Sequence, residues 1–406
     1  YLWRIADEIN RHPDIKAFFV DDYTLDESGI CTQLRLKPGC NIEHLRSMDL
    51  AGPICVHQEA WVTAHVTAPS NGSPWFSKLL GIAENFGWDS IKHIPDVLLS
   101  YSGAFPSDTR SCLLALYNNL QQKGIQGDFL PATSQSWNIR YPLTSTPQIT
   151  IAIISQNRLE LLTRCFKSII EKTSYPNFEI LITLAGKPDD TDLQHWLDKI
   201  QQQNTPKIRI IEGNSTNNYA ASCNAAVKST SNHFVALIKE DTVIIQAQWL
   251  EELVRTSLQE NVAAASPRLI APGTSKIQNA GSVLGLGGLV GSPYQDSATL
   301  GDAGYLDCLQ VSRDVSILPD ACMLVRTENY LTVGGMDETS LGNYFADADF
   351  CLKLRSQKQR LIYQPLSTVV DGGSRPLEIE GDFSPNLREE LAKAQASELF
   401  AKRWLT

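Results

Sequence analysis

Two groups of carboxylates in this sequence lie at the ends of apolar segments, where they could support chemistry. In "HFVALIKEDTVI", five apolar residues are followed by Lys239, Glu240 and Asp241. In "YFADADFCLKLR", Asp347 and Asp349 open a stretch with a helical pattern. Open α/β sheets bind ligands at the carboxyl ends of their strands. Carboxylates placed there can bind a hard divalent cation or act as a general base toward a hydroxyl.

Each of these carboxylates also has a structural interpretation. Asp241 could cap the turn before the next helix, and Asp347 or Asp349 could be an N-cap that accepts from free helix amides. All seven histidines precede Glu240, so chemistry in the rest of the chain would depend on carboxylates rather than imidazole. Both interpretations stay open. The pattern fits a site in which one group of carboxylates binds a metal ion and the other supplies a base.

The composition is that of a globular protein and argues against a nucleic-acid binder. The 406 residues are enough for two domains. The 45 acidic and 35 basic residues give a net charge of −10, which does not suit a protein that neutralises phosphates. Nine cysteines without a C-x-x-C pair predict reduced thiols in a cytoplasmic protein. Because the sequence opens at Tyr1 and not at Met, we expect the natural N-terminus to lie upstream.

Strand and helix patterns alternate from residue 148 onward. "QITIAII", "FEILITL" and "KIRIIEG" are typical of buried strands, and "RLELLTRCFKSIIEKT" has apolar residues at helical spacing. "DTDLQHWLDKIQQQ" predicts a helix capped by Asp190 or Thr191, and "NNYAASCNAAVKST" predicts another. Further on, we expect "YFADADFCLKLRSQKQRLIYQP" to form a helix that begins at its acids. This alternation predicts a parallel sheet covered by helices on both faces.

The segments on either side are less regular. Residues 1–101 contain strand-like pieces without an opening β-α-β unit, and residues 102–147 predict a helix followed by a polar, proline-containing connector. At the C-terminus, "SPNLREELAKAQASELFAKRWL" predicts a helix with Ser384 as N-cap and Pro385 in the first turn. Its apolar residues would pack on the preceding domain, or would lie on a membrane surface with Lys402 and Arg403 at the headgroups.

From residue 149 to about residue 376, the chain resembles an inverting family 2 glycosyltransferase, especially the tandem-domain enzymes of O-antigen and rhamnan assembly. The matching segments follow the family order: "ITIAIISQNRLELLTRCFKSIIEKTSYPNFEI", "NNYAASCNAAV", "DTVIIQAQWLEELV", "IQNAGSVLGLGGLVG", "DACMLVRTENYLTVGGMDE" and "FADADFCLKLR". The front of the chain resembles the later part of a first such domain, with "FFVDDYTLDESG" at its acidic motif. The resemblance implies an α/β, Rossmann-like GT-A fold with a mostly parallel central sheet and flanking helices. A partial or degenerate GT-A-like domain would precede it.

The resemblance also implies roles for individual residues. Asp347 matches the base that deprotonates the acceptor hydroxyl. Asp241 is the last acid of the metal-binding motif, and Asp371 occupies the place of the usual metal-binding histidine. A bound Mg²⁺ or Mn²⁺ would neutralise the leaving diphosphate. The implied nucleotide-sugar-binding residues are Ser155, Asn157, Thr183, Asn218, Asn224 and Glu240. Asp320 and Asp349 are implied on the acceptor side.

Several positions depart from the family pattern. Thr183 stands where an aspartate usually reads the uracil ring. Lys239 replaces the first acid or amide of the metal motif, which would place a cation beside the metal, and Asp320 replaces a glycine of the acceptor loop. The other departures are at two histidine positions, Asn279 and Ser292, and at an acidic position of the front domain, Tyr23.

These observations predict four segments: a non-catalytic GT-A-like domain at 1–101, a helix and linker at 102–147, a GT-A domain at 148–376 and a C-terminal helix at 377–406. The predicted activity is inverting, single-displacement transfer of a sugar from a nucleotide diphosphate donor. Its acceptor would be a glycan or lipid-linked glycan of a surface polysaccharide such as an O-antigen or capsule. We expect this activity in the cytoplasm or at the inner face of the cytoplasmic membrane, beside partner glycosyltransferases and without nucleic acid. The alternative is an inactive pseudo-glycosyltransferase that binds glycan or a partner enzyme.

Overall fold

The computed structural model describes residues 2–39, 41–64, 74–103, 105, 108–202, 206–213, 218–372 and 387–405. The chain forms two compact units, one of Tyr1–Pro142 with Ala303–Asp314 and one of Leu143–Asp302 with Val315–Thr406. This division differs from the four segments proposed from the sequence, because residues 102–142 belong to the first unit and are no separate linker. The proposed boundary at residue 376 lies outside the described residues.

A small mixed sheet forms the centre of the first unit. Its four strands are β1 (Ala17–Leu25), β2 (Cys31–Arg35), β3 (Ile54–Val56) and β4 (Ile91–Ser102), and a separate two-stranded sheet consists of β5 (Asp128–Pro131) and β6 (Trp137–Arg140). The helices of the first unit are α1 (Leu2–Arg11), α2 (Ile42–Ser47), α3 (Gln58–Thr63), α4 (Pro74–Phe86) and α5 (Thr109–Gln122). β1 pairs in parallel with β4 and antiparallel with β2 and β3, while β5 and β6 pair with each other.

The segment that the sequence suggested as a helix and linker contributes to the core of this unit. Leu116 of α5 and Trp137 of β6 are buried in one cluster with Phe76 of α4. Burying large apolar side chains stabilises the elements that carry them. Where the sequence suggested a connector, the structure therefore has strand β6, which packs against helices from other parts of the unit.

The second unit has the alternating pattern that the sequence predicts. Its first strands are β7 (Ile149–Ile154), β8 (Phe178–Leu184), β9 (Ile208–Glu212), β10 (Phe234–Lys239), β11 (Thr242–Ile244), β12 (Val262–Ile270), β13 (Ile277–Asn279), β14 (Val283–Leu284) and β15 (Val290–Gly291). The short strand β16 (Arg313–Asp314) belongs to the first unit, and β17 (Cys322–Arg326) and β18 (Arg360–Asp371) return to the second. The helices are α6 (Leu159–Lys172), α7 (Thr191–Gln201), α8 (Tyr219–Lys228), α9 (Trp249–Ser257), α10 (Thr327–Thr332), α11 (Ala346–Ser356) and α12 (Leu387–Trp404).

The central sheet of the second unit has the order β11-β18-β12-β17-β10-β7-β8-β9, with β13 beside β12. The four strands β10, β7, β8 and β9 are parallel to one another, whereas β17 pairs antiparallel with both β10 and β12. The predicted α/β fold with a mostly parallel central sheet is confirmed. Because the parallel strands share one direction, their carboxyl ends lie at one edge of the sheet.

Local sequence explains the parallel part of this sheet. All six residues of β7 are buried, as expected for a strand covered on both faces. In α6, Leu162, Cys165, Phe166 and Ile169 are buried at helical spacing. The predicted cap of α7 is also confirmed, because the Asp190 carboxylate accepts hydrogen bonds from the first turn of that helix.

The structure corrects the prediction for the segment that begins at the acids of "FADADF". The helix α11 ends at Ser356, and the chain then enters the long strand β18 at Arg360. Lys358 between them has a φ of 59°, which a continuing helix cannot accommodate. The apolar run that follows pairs in parallel with β12, so a neighbouring strand decides its conformation.

The C-terminal helix α12 has buried residues in its second half. Its predicted N-terminal residues Ser384 and Pro385 lie outside the described residues. Ala396 and Phe400 are buried, while Leu391 is 53% exposed. In the part of the chain that the structure describes, no helix has the length and apolar character to cross a membrane.

Candidate functional site

The candidate site begins where strands β7, β8 and β10 end. Ser155 follows β7, Thr183 lies near the end of β8, and Glu240 follows β10. β7 pairs with both β8 and β10, which brings these three ends together. The polar residues that the sequence suggested at separate positions are therefore neighbours at one edge of the sheet.

Glu240 organises the loop after β7. Its carboxylate accepts a hydrogen bond from Ser155 Oγ at 2.6 Å and one from Arg158 Nε at 2.6 Å. Glu240 and Ser155 are each only 1% exposed. Burying the Glu240 carboxylate alone would be costly. The Arg158 guanidinium, which sequence reasoning did not single out, compensates its negative charge. These contacts place Glu240 in support of the site, and its predicted contact with a nucleotide stays a prediction.

Asn157 connects the loop after β7 to the loop after β8. Its backbone has a φ of 65°, a left-handed conformation that asparagine tolerates better than most residues. Its Oδ1 accepts from Ala185 N at 3.2 Å, and its own N–H donates to Ser155 Oγ at 2.9 Å. Asn157 thereby sets the shape of the sheet edge at which a nucleotide is expected.

Thr183 is fully buried, with 0% exposure. Its carbonyl oxygen accepts from Ser155 N at 2.9 Å, but among the described residues its Oγ1 has no hydrogen-bond partner. The predicted role of Thr183 in reading a base stays a prediction that this burial argues against.

Lys239 and Asp320, two departures from the family pattern, form an ion pair with each other. The Lys239 ammonium also lies 5.2 Å from the centre of the Tyr219 ring, and Tyr219 Oη donates to the Asp320 carbonyl at 2.8 Å. Burial alone would lower the pKa of Lys239. The charge and hydrogen bond of Asp320, with the charges of Asp347 and Asp241, instead raise that pKa above its ordinary value. One ammonium therefore faces three carboxylates.

Asp347 lies in the first turn of α11, after Phe345, whose φ is 60°. Burial raises the pKa of the Asp347 carboxyl to about 7, with a further upward contribution from the Asp320 charge. The Lys239 charge and backbone amides at the start of α11 act in the opposite direction. A carboxylate that titrates near neutral pH is suited to accept a proton from a hydroxyl.

Asp241 and Asp371 are brought together by the pairing of β11 with β18. Asp371 is the register partner of Thr242, and Gly372 N donates to the Asp241 carbonyl at 3.2 Å. Antiparallel partners have Cα atoms about 4.5–5.5 Å apart, so the backbones of Asp241 and Asp371 lie close to each other. A Cβ at Gly372 would lie 2.6 Å from the Asp241 carbonyl oxygen, so this approach requires glycine.

This pair is suited to a particular kind of metal site. Mg²⁺ commonly takes one or two carboxylates and completes its shell with substrate phosphates and water. Among the residues that the structure describes, no group of three or more His, Cys, Asp or Glu could hold a metal. An ion held by Asp241 and Asp371 would therefore have to complete its shell with a bound diphosphate and water. Their role as metal ligands stays a prediction.

Asn218 and Asn224 connect α8 to the segment before α11. Asn218 caps α8 through Ala221 N and donates to the Glu338 carbonyl at 2.8 Å. Asn224 is 5% exposed, donates to the Met336 carbonyl at 2.9 Å, and accepts from Tyr330 Oη at 2.7 Å. Both amides are occupied by protein groups here, and their predicted contact with the donor is untested.

Asp349, predicted on the acceptor side, is bound by the C-terminal helix. It has 0% exposure and accepts from Arg403 Nη1 at 2.6 Å and from Trp404 Nε1 at 3.0 Å. Lys353 Nζ lies 2.8 Å from its other oxygen. These contacts make Asp349 an anchor for α12, and its role toward an acceptor stays a prediction. Sequence reasoning offered packing or membrane headgroups for Arg403 but did not identify Asp349 as its partner.

The two positions at which family histidines are replaced also meet. Asn279 Nδ2 donates to Ser292 Oγ at 2.7 Å and to Ser282 Oγ at 3.0 Å. These are neutral groups, so this cluster carries no charge that could bind a diphosphate or titrate near neutral pH.

The acidic stretch of the first unit is internally paired. Asp22 accepts two hydrogen bonds from Arg35, each at 2.7 Å, and lies 2.6 Å from Lys37 Nζ. Asp21 accepts from Lys37 N at 2.7 Å and lies 2.8 Å from His93 Nε2. Burial lowers the pKa of Lys37 to about 8. Because protein cations and donors engage both acids, this stretch resembles an internal ion network more than a ligand site.

Comparison with known proteins gives a match to the second unit. Residues 150–284 match the family model "Glycosyl transferase family 2". The chain is 26% identical over 419 residues to the uncharacterized protein y4gI of Sinorhizobium fredii, covering 99% of this chain and 45% of that protein. It is 24% identical over 365 residues to the O-antigen biosynthesis protein RfbC of Myxococcus xanthus, covering 86% of this chain and 28% of that protein. The chain thus spans less than half the length of either relative.

A solved structure with a similar fold is the mannosyltransferase PcManGT from Pyrobaculum calidifontis in complex with GDP-Man and Mn²⁺. The identity is 14% and the TM-score 0.42, over 56% of this chain and 58% of that one. The family match covers β7, β8 and β10 together with the residues that follow them. Residues 150–284 of this chain therefore match family 2 glycosyltransferases over the parallel part of the second unit's sheet.

Proposed function

We propose that this chain is a glycosyltransferase that moves a sugar from a nucleotide diphosphate donor to an acceptor hydroxyl, with inversion at the anomeric carbon. The observation that carries the proposal is the position of Asp347. Burial and the Asp320 charge raise the pKa of its carboxyl to about 7, and Asp347 and Asp241 both act on the Lys239 ammonium through their charges. A candidate base, and acids that could hold a metal ion for the diphosphate, are thus present in the same unit.

In the proposed reaction, Asp347 accepts the proton of the acceptor hydroxyl while the acceptor oxygen attacks the anomeric carbon. The new glycosidic bond forms as the bond from that carbon to the diphosphate oxygen breaks, and the nucleoside diphosphate leaves with the electron pair. Asp241 and Asp371 would hold the Mg²⁺ or Mn²⁺, which supplies positive charge for the leaving group. Attack from the side opposite the leaving group inverts the anomeric configuration.

The proposed acceptor is a surface polysaccharide or its lipid-linked precursor. The support is the relationship to a protein named for O-antigen biosynthesis, which this chain matches over 86% of its length. We further propose that the transfer takes place on the cytoplasmic side, where sugar nucleotides are available.

The test compares Asp347→Asn with Asp192→Asn, a matched change at an exposed aspartate of α7. Release of nucleoside diphosphate from a panel of sugar nucleotides is measured with a glycan acceptor mixture, and nucleoside diphosphate binding is measured by calorimetry. We expect Asp347→Asn to lower turnover 10²- to 10⁴-fold and to leave binding nearly unchanged, because the base acts only in the chemical step. Equal turnover in the two variants would refute the assignment of the base.

A pseudo-glycosyltransferase is the second candidate, and the position of Lys239 favours it. An ammonium close to Asp241 would repel a metal ion that binds there. This candidate predicts that the folded protein binds glycan but shows no turnover with any sugar nucleotide, with or without Mn²⁺.

A further inference from the structure

Lys239 occupies a central position at the edge of the second unit's sheet. It is the last residue of β10 and directly precedes Glu240 and Asp241. Its side chain is 30% exposed, and that of its partner Asp320 is 38% exposed. The Lys239–Asp320 pair is therefore partly open to solvent at the edge where the proposed donor would bind.

The contacts of Lys239 allow it to change partner. Ion pairs between part-exposed side chains are weak, since water competes for both groups. A diphosphate offers several charged oxygens, and charge-assisted hydrogen bonds to phosphate are among the strong ones. The centre of the Tyr219 ring lies 5.2 Å from the lysine ammonium, and the Tyr219 hydroxyl donates to the Asp320 carbonyl at 2.8 Å.

The surroundings of Lys239 already contain several carboxylates, so a negatively charged donor that binds there needs a cation beside it. Asp320, Asp347 and Asp241 already act on this ammonium. A nucleotide diphosphate would add further negative charge to the same edge. Because the end of β10 lies beside that of β7, where Asn157 shapes the loop, the lysine lies at the edge that incoming phosphates would reach.

We propose that Lys239 binds the diphosphate of the donor and that Asp320 holds the lysine in place when no donor is bound. The inference rests on the proposed function, since it assumes that the site takes a nucleoside diphosphate. Lys239 would bind the diphosphate without the need for a metal ion. Asp320 would compete with the diphosphate for the lysine ammonium.

The experiment measures dissociation constants of UDP and GDP by calorimetry, once in EDTA and once with Mg²⁺. Lys239→Met should weaken diphosphate binding at least tenfold in both conditions and leave binding of the phosphate-free nucleoside unchanged. Lys239→Arg should retain most of the affinity. Asp320→Asn should tighten binding several-fold, because the ammonium loses its competing partner. Lys199→Met, at an exposed position of α7, is the matched control.

Opposite effects of the Lys239→Met and Asp320→Asn changes would support the proposal, since a merely structural ion pair would shift binding in the same direction in both variants. Wild-type affinity in Lys239→Met would overturn it while leaving the proposed function standing. If the unmodified protein binds neither diphosphate, the inference about Lys239 fails, and turnover with the panel of sugar nucleotides decides the proposed function. Thermal unfolding identifies any variant that does not fold, and in that case the Lys239→Arg and Asp320→Asn results decide.

Discussion

Asp349 of α11 and Arg403 of α12 form a hydrogen-bonded ion pair in which Nη1 lies 2.6 Å from Oδ1. Arg403 also reaches Asp337 at 3.2 Å. Next to this pair, the rings of Phe345 and Phe400 stack with their centres 5.2 Å apart. The C-terminal helix therefore supports both sides of the turn that presents Asp347.

Replacing Arg403 should destabilise the second unit. In Arg403→Gln, the buried Asp349 carboxylate keeps Lys353 and Trp404 but loses its strongest donor. We expect the free energy of unfolding to fall by about 1–3 kcal/mol, the range for hydrogen bonds to charged groups. Denaturant unfolding measures it, with Lys393→Gln at an exposed site of the same helix as control. Equal midpoints would mean that the pair contributes nothing to stability.

The raised pKa of Asp347 makes activity and stability respond to pH in opposite ways. The base must be ionised, so kcat/KM should rise with pH through about 7 and then level off. The folded protein favours the protonated carboxyl. That stabilisation is complete below the ordinary value of 3.8 and is lost as pH rises through about 7.

Asp347→Asn should therefore gain stability relative to the unmodified protein between pH 5 and pH 8. Thermal unfolding in the presence of a chelator measures this difference. Asp192→Asn should follow the unmodified protein across the range. Parallel curves for Asp347→Asn and the unmodified protein would contradict the raised pKa.

Thr183→Val separates a structural hydroxyl from one that reads a base. The Thr183 hydroxyl is buried and makes no hydrogen bond to the described residues, so its removal should raise the free energy of unfolding by about 1 kcal/mol. Nucleoside diphosphate binding should not change. The matched control is Thr150→Val, which removes a buried hydroxyl that bonds Glu179 at 3.0 Å and should destabilise. Weaker uridine diphosphate binding in Thr183→Val would show that this hydroxyl does read the base.

The acids Asp241 and Asp371 should act together on a divalent cation. Either change to asparagine should raise at least tenfold the Mn²⁺ concentration needed for half-maximal binding with a nucleoside diphosphate, because each supplies one of two charged protein ligands. Electron paramagnetic resonance of free Mn²⁺ provides the measurement, with Asp192→Asn as control. If EDTA has no effect on nucleoside diphosphate binding, the metal assignment is wrong.

In the first unit, Lys37→Met should be strongly destabilising. Its ammonium is fully buried, pairs with Asp22, and donates to the carbonyls of Val20 at 2.7 Å and Ala51 at 2.8 Å. Removing one partner of a buried ion pair typically costs about 3–5 kcal/mol. Lys123→Met, at an exposed position after α5, should have little effect on the same denaturant curve. A stable Lys37→Met protein would show that the network is dispensable for folding.

Much of the second unit could be predicted from the sequence because its signals are local. The bounds of β8 are those of the apolar run "FEILITL", and Asp190 caps α7 as its position before the helix suggests. Apolar periodicity and capping depend on residues within one or two turns, so they can be recognised in a single sequence.

The site depended on contacts between distant parts of the chain. Lys239 and Asp320 appear in the sequence as two unrelated departures, yet they are 81 positions apart and form one ion pair. Asp349 looks like an acceptor-side acid until Arg403, 54 positions later, is placed against it. Strand β18 likewise depends on β12 and β11 as partners. Local patterns determined the alternating elements and the acids at their ends. Which side chains meet, and which carboxylates remain available for chemistry, was decided by long-range packing, because the energy of a buried charge depends on the neighbours that folding brings to it.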